Sequence, residues 1–147
     1  MLQDTGLDAR SLELEITESV VMEHAGSTLS VLRRLRALGV GLAIDDFGTG
    51  YSSLSYLKRF PMDFLKIDRS FVEGIDEIEG NEAITAGIIT LAHTLGLEVV
   101  AEGVETAEQA ARLRLLGCDM AQGTFFSEAL PAASAGELLA EGSRTHS

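Results

Sequence analysis

Three times in this 147-residue chain a leucine-bearing stretch with helical spacing meets an apolar run through a single glycine: Leu38-Gly39-Val40, Leu95-Gly96-Leu97 and Leu116-Gly117-Cys118. A glycine just past a helix supplies the left-handed residue that ends it, so the chain is punctuated as helix, stop, strand. The apolar runs at Val40 to Ile44, Leu97 to Ala101 and Cys118 to Ala121 read as strands, and Phe64 to Asp68 reads as another. Leu12 to Thr17 alternates strictly, placing Leu12, Leu14 and Ile16 on one face and Glu13, Glu15 and Thr17 on the other. Between the strands, Ser27 is the expected N-cap of a helix with Leu29, Leu32, Leu35 and Leu38 on its stripe, and Ser52 or Ser53 caps a short helix carrying Leu54 and Leu57 that Pro61 ends. Asn81 to Leu95 forms a longer helix through Ile84, Ile88, Leu91 and Leu95, while Thr106 with Gln109 and Ser134 with Glu137 read as capping boxes. Strands alternating with helices imply parallel pairing, so the expected fold class is α/β with about five parallel strands.

The strand ends carry the chemistry. Glu15, Asp45 with Asp46, Lys66 with Asp68, Glu102, and Gln122 each fall at the carboxyl end of a different expected strand. In a parallel β/α architecture those ends share one face, which is where active sites lie. One Asp-Asp pair alone reads as an acidic turn, whereas five polar strand ends in succession read as a polyvalent site. Its composition is several carboxylates and an amide, with neither thiolate nor imidazole, which suits Mg²⁺ or Mn²⁺ better than Zn²⁺. Paired cations of this kind activate water for attack on phosphorus. Lys66 either serves that attack or forms an internal ion pair with Asp68 or Glu102.

Charge then narrows the partners. Eleven Lys and Arg stand against 23 Asp and Glu, a net −12, which argues against a polynucleotide partner, since duplex binding needs basic side chains on phosphates; a small phosphate ligand remains compatible if cations screen the carboxylates. The single cysteine, Cys118, excludes an internal disulfide and reads as packing. With no signal-peptide pattern and no apolar span of about 18 residues, the expected location is cytoplasmic, with no membrane segment in this chain. His93 reads as an ordinary helix residue, His24 as a remote ligand candidate, and Gly48-Thr49-Gly50 as a hinge. Glu73 to Gly80 reads as a loop.

Five segments, Leu14-Glu15-Ile16-Thr17-Glu18, Ile44 to Leu54, Leu65-Lys66-Ile67-Asp68, Ala101-Glu102-Gly103-Val104-Glu105 and Gln122-Gly123, resemble in order the signatures of the EAL-domain cyclic di-GMP phosphodiesterases. The resemblance covers residues from about 12 to 131. It implies a partial (β/α)8 TIM-type barrel whose complete form uses two divalent cations, Mg²⁺ or Mn²⁺, to hydrolyse cyclic di-GMP to linear pGpG. It further implies that Glu15, Asp45, Asp46 and Glu102 hold metal, with Asp45 bridging both ions. Lys66 would position or deprotonate the attacking water, Gln122 would contact that water or the metal surroundings, and Glu105 would anchor the loop after Asp46. Glu18 matches a family position near the metal shell. The same loop carries dimer contacts in the family, so a homodimer through the Asp46–Leu57 loop and helix is expected.

The five strands match the fourth to eighth of that barrel, and the family's first-strand Glu and third-strand Asn ligands have no counterpart here. Glu128-Ala129-Leu130 spells the family's tripeptide, but beyond the fifth strand and just before Pro131, so Glu128 reads as a loop residue. Thr124 and Glu128 depart from the family's usual aromatic and basic residues in this segment. Residues 1–140 are thus expected to form a truncated, carboxyl-terminal part of the domain and 141–147 a flexible tail. The expected function is part of a metal-dependent cyclic di-GMP phosphodiesterase, inactive as an isolated chain; the alternative is an inert cyclic di-GMP-binding or protein-interaction remnant.

Overall fold

Each of the three glycine junctions closes its helix with the same pair of hydrogen bonds. In a computed structural model that describes residues 2–23, 25–48, 57–75 and 80–142, Val40 N–H reaches back to Leu35 C=O and Gly39 N–H to Arg36 C=O. Leu97 and Gly96 repeat the pattern on Ala92 and His93, and Cys118 and Gly117 on Leu113 and Arg114. The glycines carry positive φ of 91°, 77° and 84°, so all three are Schellman motifs. They deliver the chain from α3 (Ala25–Ala37), α5 (Asn81–Thr94) and α6 (Ala107–Leu115) into β2 (Gly41–Phe47), β4 (Glu98–Ala101) and β5 (Met120–Ala121). The other described elements are α1 (Leu2–Thr5), a 3₁₀ turn (Ala9–Ser11), β1 (Glu13–Thr17), α2 (Glu18–Glu23), β3 (Phe64–Ile67), α4 (Arg69–Val72) and α7 (Ala132–Gly142).

The five strands form one sheet in the order β1-β2-β3-β4-β5, every pair parallel. The central strands are covered on both faces: Leu42, Ala43, Ile44, Leu65, Ile67, Val99 and Ala101 are all buried, as expected where helices flank a parallel sheet. Leu32, Phe60, Met62, Val72, Ile75, Ile88, Ile89 and Leu113 are among the residues that pack with them in the core. At the flanks the covering thins. Leu115, Met120, Phe125 and Phe126 are exposed around a cavity of about 660 Å³ beside β5, and Val31 and Leu38 are exposed around one of about 410 Å³ on α3.

Several local expectations are corrected. β2 runs on through Asp45 and Asp46 to Phe47 instead of stopping at Ile44. Ser27 lies inside α3, because α2 and α3 follow each other almost without a break. Ser134 lies inside α7, which starts at Ala132 with Ala135 N–H on Pro131 C=O, the proline having fixed the entry φ. The buried face of α5 is Thr85, Ile88, Ile89 and Ala92, leaving Ile84 exposed; Thr85 is drawn inward because its hydroxyl donates to Phe71 C=O. Leu38 likewise sits past the end of α3 and is exposed. β5 holds only Met120 and Ala121 of the expected Cys118–Ala121. The Thr106–Gln109 capping box forms as expected.

The expected short helix with Ser52, Ser53 and Leu54, most of the Asp46–Leu57 dimer surface, His24, Thr49, Gly50 and the end of the tail lie outside the described residues. Leu57 is described and is a core residue. No helix among the described residues is long and apolar enough to cross a membrane.

Asp119 staples the amino-end side of this sheet. One carboxylate oxygen, Oδ2, accepts Val99 N–H from β4 at 2.8 Å and lies 2.8 Å from His93 Nε2 on α5. Partial burial alone would raise the Asp119 pKa, but the His93 contact and the Val99 amide outweigh it and hold the carboxyl below its ordinary 3.8. A depressed carboxyl pKa gives stability that is present above the unfolded value and lost as pH falls through the folded one. Replacing Asp119→Ala should therefore cost about 1–2 kcal/mol near neutrality, read by urea unfolding, and the difference from wild type should shrink below pH 3.8. A constant difference down to acid would rule out the ionic share of this staple.

Candidate active site

Lys66 sits in β3, the middle strand, and its side chain is 4% exposed. A buried ammonium is costly unless paired. Three neighbours pair it: Glu15 Oε1 from β1 at 2.5 Å, Glu102 Oε1 just past β4 at 2.5 Å, and Asp45 Oδ1 from β2 at 3.8 Å. Burial by itself would lower the Lys66 pKa, but hydrogen bonds to Glu102 and Glu15 and the charges of Glu102 and Asp45 prevail, so it is pushed up to about 12. Gln122, just past β5, closes the row by donating Nε2–H to Glu102 Oε1 at 2.7 Å. Glu15, Asp45, Lys66, Glu102 and Gln122 thus form one connected cluster on the carboxyl-end face of the sheet. Asp68 is not part of it: its carboxylate caps α4, accepting Ser70 N–H at 3.0 Å.

Asp45 and Asp46 owe their placement to an irregularity in the ladder. Ile44 pairs with Leu65 and Phe47 with Ile67, so β2 spends one residue more than β3 over this stretch. That is a β-bulge, which interrupts the alternation of side chains and re-aims them. Asp46 takes φ of 55°, the one described non-glycine residue in the left-handed region, and its N–H donates to Asp45 Oδ1 at 3.0 Å. Aspartate and asparagine tolerate this region better than most residues.

Two further carboxylates brace the rim. Glu18, at the start of α2 and 3% exposed, accepts Gly48 N–H at 3.1 Å and so ties the end of β1 to the backbone after Asp46. Glu105 meets Arg69 Nη2 at 2.7 Å; its expected partner segment after Gly48 lies outside the described residues. The grip of Glu18 on Gly48 and the Arg69 partnership were not legible in the sequence. Both depend on how segments 30 or more residues apart fold together.

The donor set suits a hard cation. It offers oxygen ligands only, and three carboxylates against one ammonium leave an excess of negative charge. Among the described residues no three Asp, Glu, His or Cys side chains are grouped to hold a metal ion; Glu15, Asp45 and Glu102 are turned onto the Lys66 ammonium instead.

A parallel β/α sheet with acidic strand ends gathered around one lysine defines a partial TIM-type barrel carrying a cation-centred site. The EAL domain model matches residues 1–129, and the chain belongs to that family. It is 51% identical over 138 residues to the cyclic di-GMP phosphodiesterase NbdA of Pseudomonas aeruginosa, covering 94% of this chain and 18% of that protein. The EAL domain of Mycobacterium smegmatis DcpA superposes with a TM-score of 0.89 at 47% identity, over 96% of this chain and 63% of that one. BlrP1 of Klebsiella pneumoniae, solved as a manganese and cyclic di-GMP complex, superposes with a TM-score of 0.77 at 40% identity, over 84% of this chain and 32% of that one. The chain therefore spans less than two thirds of each relative.

Removing the central cation should be felt at once. Lys66→Met leaves Glu15, Asp45 and Glu102 facing one another, and should destabilise the fold by roughly 1–3 kcal/mol at pH 7, less than for a fully enclosed pair because the carboxylates are partly solvated. Because the folded pKa is raised, the ionic contribution is complete below 10.5 and lost as pH rises through about 12; unfolding at pH 7 and above pH 11 would compare the two variants. Separately, Glu18→Gln should speed hydrogen exchange at the Gly48 amide about tenfold, the equivalent of ~1.4 kcal/mol. Unchanged exchange would show that the Glu18 contact does not hold the rim.

Proposed function

We propose that this chain is the carboxyl-terminal part of a metal-dependent phosphodiesterase that hydrolyses cyclic di-GMP to linear pGpG, and that it needs the rest of the barrel for turnover. The observation that carries this reading is the cluster of Glu15, Asp45 and Glu102 around Lys66 at the strand ends of an EAL domain. Glu15, Asp45, Asp46 and Glu102 are the residues that would hold Mg²⁺ or Mn²⁺. Such cations, when bound, supply an activated water and neutralise charge at the phosphorus.

The chain's own residues do the rest. With Glu15, Glu102 and Asp45 turned onto it, the Lys66 ammonium is held protonated; in the complete site it would position or deprotonate the attacking water. Gln122 holds Glu102 through its amide and leaves its carbonyl oxygen for the water. Asp45 is fixed by the Asp46 amide in the bulge, which keeps its carboxylate aimed before any ligand arrives. Glu18 supports the rim through Gly48, and Glu105 would serve catalysis by anchoring the loop after Asp46. The preference for a cyclic dinucleotide over other phosphodiesters rests on relatives with that activity or ligand in their names.

Incubation of the purified chain with cyclic di-GMP and Mn²⁺, followed by chromatography for pGpG, should give no turnover. Joined to the preceding segment of an EAL domain, the chain should release pGpG, and Asp45→Asn in that protein should reduce the rate by at least about a hundredfold. An active restored enzyme that tolerates Asp45→Asn would sink the metal assignment. Ligand binding without turnover in the restored protein would favour the inert remnant.

A further inference from the structure

Arg69 opens α4, three residues after Lys66 in sequence, and reaches across to the segment that follows β4. Two features of that reach go together. Its Nη2 stands 2.7 Å from Glu105 Oε1. Its aliphatic stem lies directly over Gly103, where an added β-carbon would stand 2.5 Å from Arg69 Cγ and 2.9 Å from Cβ and Cδ. Gly103 also takes φ of 69°, a backbone shape costly for other residues. One side chain from α4 therefore clasps the turn Glu102-Gly103-Val104-Glu105 by its backbone and by its last carboxylate.

Glu102 lies immediately before this clasp and bears the contacts that assemble the site, to Lys66 at 2.5 Å and to Gln122 at 2.7 Å. From this geometry we infer that Arg69 is a positioning residue: it sets the aim of the Glu102 carboxylate through Gly103 and Glu105. A half-exposed ion pair alone contributes little to stability and would not require a glycine beneath the arginine stem. The close fit is what a device for orientation needs, since misplacing a ligand by a fraction of an ångström weakens a site more than it weakens a fold. A second carboxylate, Glu73 Oε2, lies 3.8 Å from Arg69 Nε within the same local segment and provides a control that leaves the clasp intact.

The effect on cation affinity rests on the metal-site reading given under Proposed function, whereas the effect on Glu102 does not. The test uses two readouts: the side-chain amide resonance of Gln122 in ¹⁵N NMR on the purified chain, which reports its hydrogen bond to Glu102 without metal, and calorimetric titration with MnCl₂ of the chain joined to the preceding segment of an EAL domain. Arg69→Ala should shift the Gln122 amide toward a free glutamine and weaken Mn²⁺ binding about tenfold. Arg69→Lys, which keeps stem and charge, should restore most of both, and Arg69→Met, which keeps only the stem, should fall between. Glu73→Ala should leave both readouts at wild-type values. A wild-type Gln122 resonance in Arg69→Ala or Arg69→Met, or an equal change in Glu73→Ala, overturns the inference. Failure of the wild-type joined protein to take up Mn²⁺ would overturn the metal-site reading instead, and the Gln122 readout would still decide the role of Arg69.

Discussion

The fold depends on a charge placed where charge is expensive. Lys66 lies in the middle strand of a sheet whose central strands are otherwise apolar, and its ammonium is almost fully enclosed. Only counter-charges supplied from other strands make that position tolerable. β1 contributes Glu15, β2 contributes Asp45, and the end of β4 contributes Glu102. Any arrangement that separated these strands would strand the ammonium among hydrocarbons. Register and site are consequently one problem: a one-residue slip of β1 would turn Glu15 to the opposite face.

Much of this was legible in the sequence, for identifiable reasons. The glycine junctions announce themselves because the Schellman motif needs a left-handed residue just past the helix, so Gly39, Gly96 and Gly117 mark both the helix ends and the strand starts. Glu15, Asp45, Lys66, Glu102 and Gln122 were legible as a group because parallel strands put their carboxyl ends on one side. Helix faces were less so. Ile84 has the right spacing for the α5 stripe, yet Thr85 takes the inward place because Phe71 C=O offers its hydroxyl a partner. Ser27 and Ser134 have cap chemistry, but α2 and Pro131 begin those helices earlier. The bulge at Asp45–Asp46 arises from one extra residue in a ladder and the clasp at Gly103 from contacts distant in sequence, and neither leaves a periodic trace.

The flanks of the sheet show the reverse balance. β1 and β5 each pair with a single described neighbour, and the apolar side chains beside β5 remain exposed. The interior is therefore organised around a central charge while the margins keep hydrocarbon in water, and edge strands of this kind are the part of a sheet most open to further pairing.

The left-handed Asp46 has an evolutionary side. Its backbone favours glycine, asparagine or aspartate, and the metal role proposed for it would add a demand for a carboxylate, which aspartate alone would meet. Glutamate would keep the charge but strain the chain; alanine would lose on both counts. If that proposed role holds, a lineage that abandoned the chemistry while keeping the fold would be expected to drift first to asparagine or glycine at this position, the two other residues its backbone accepts.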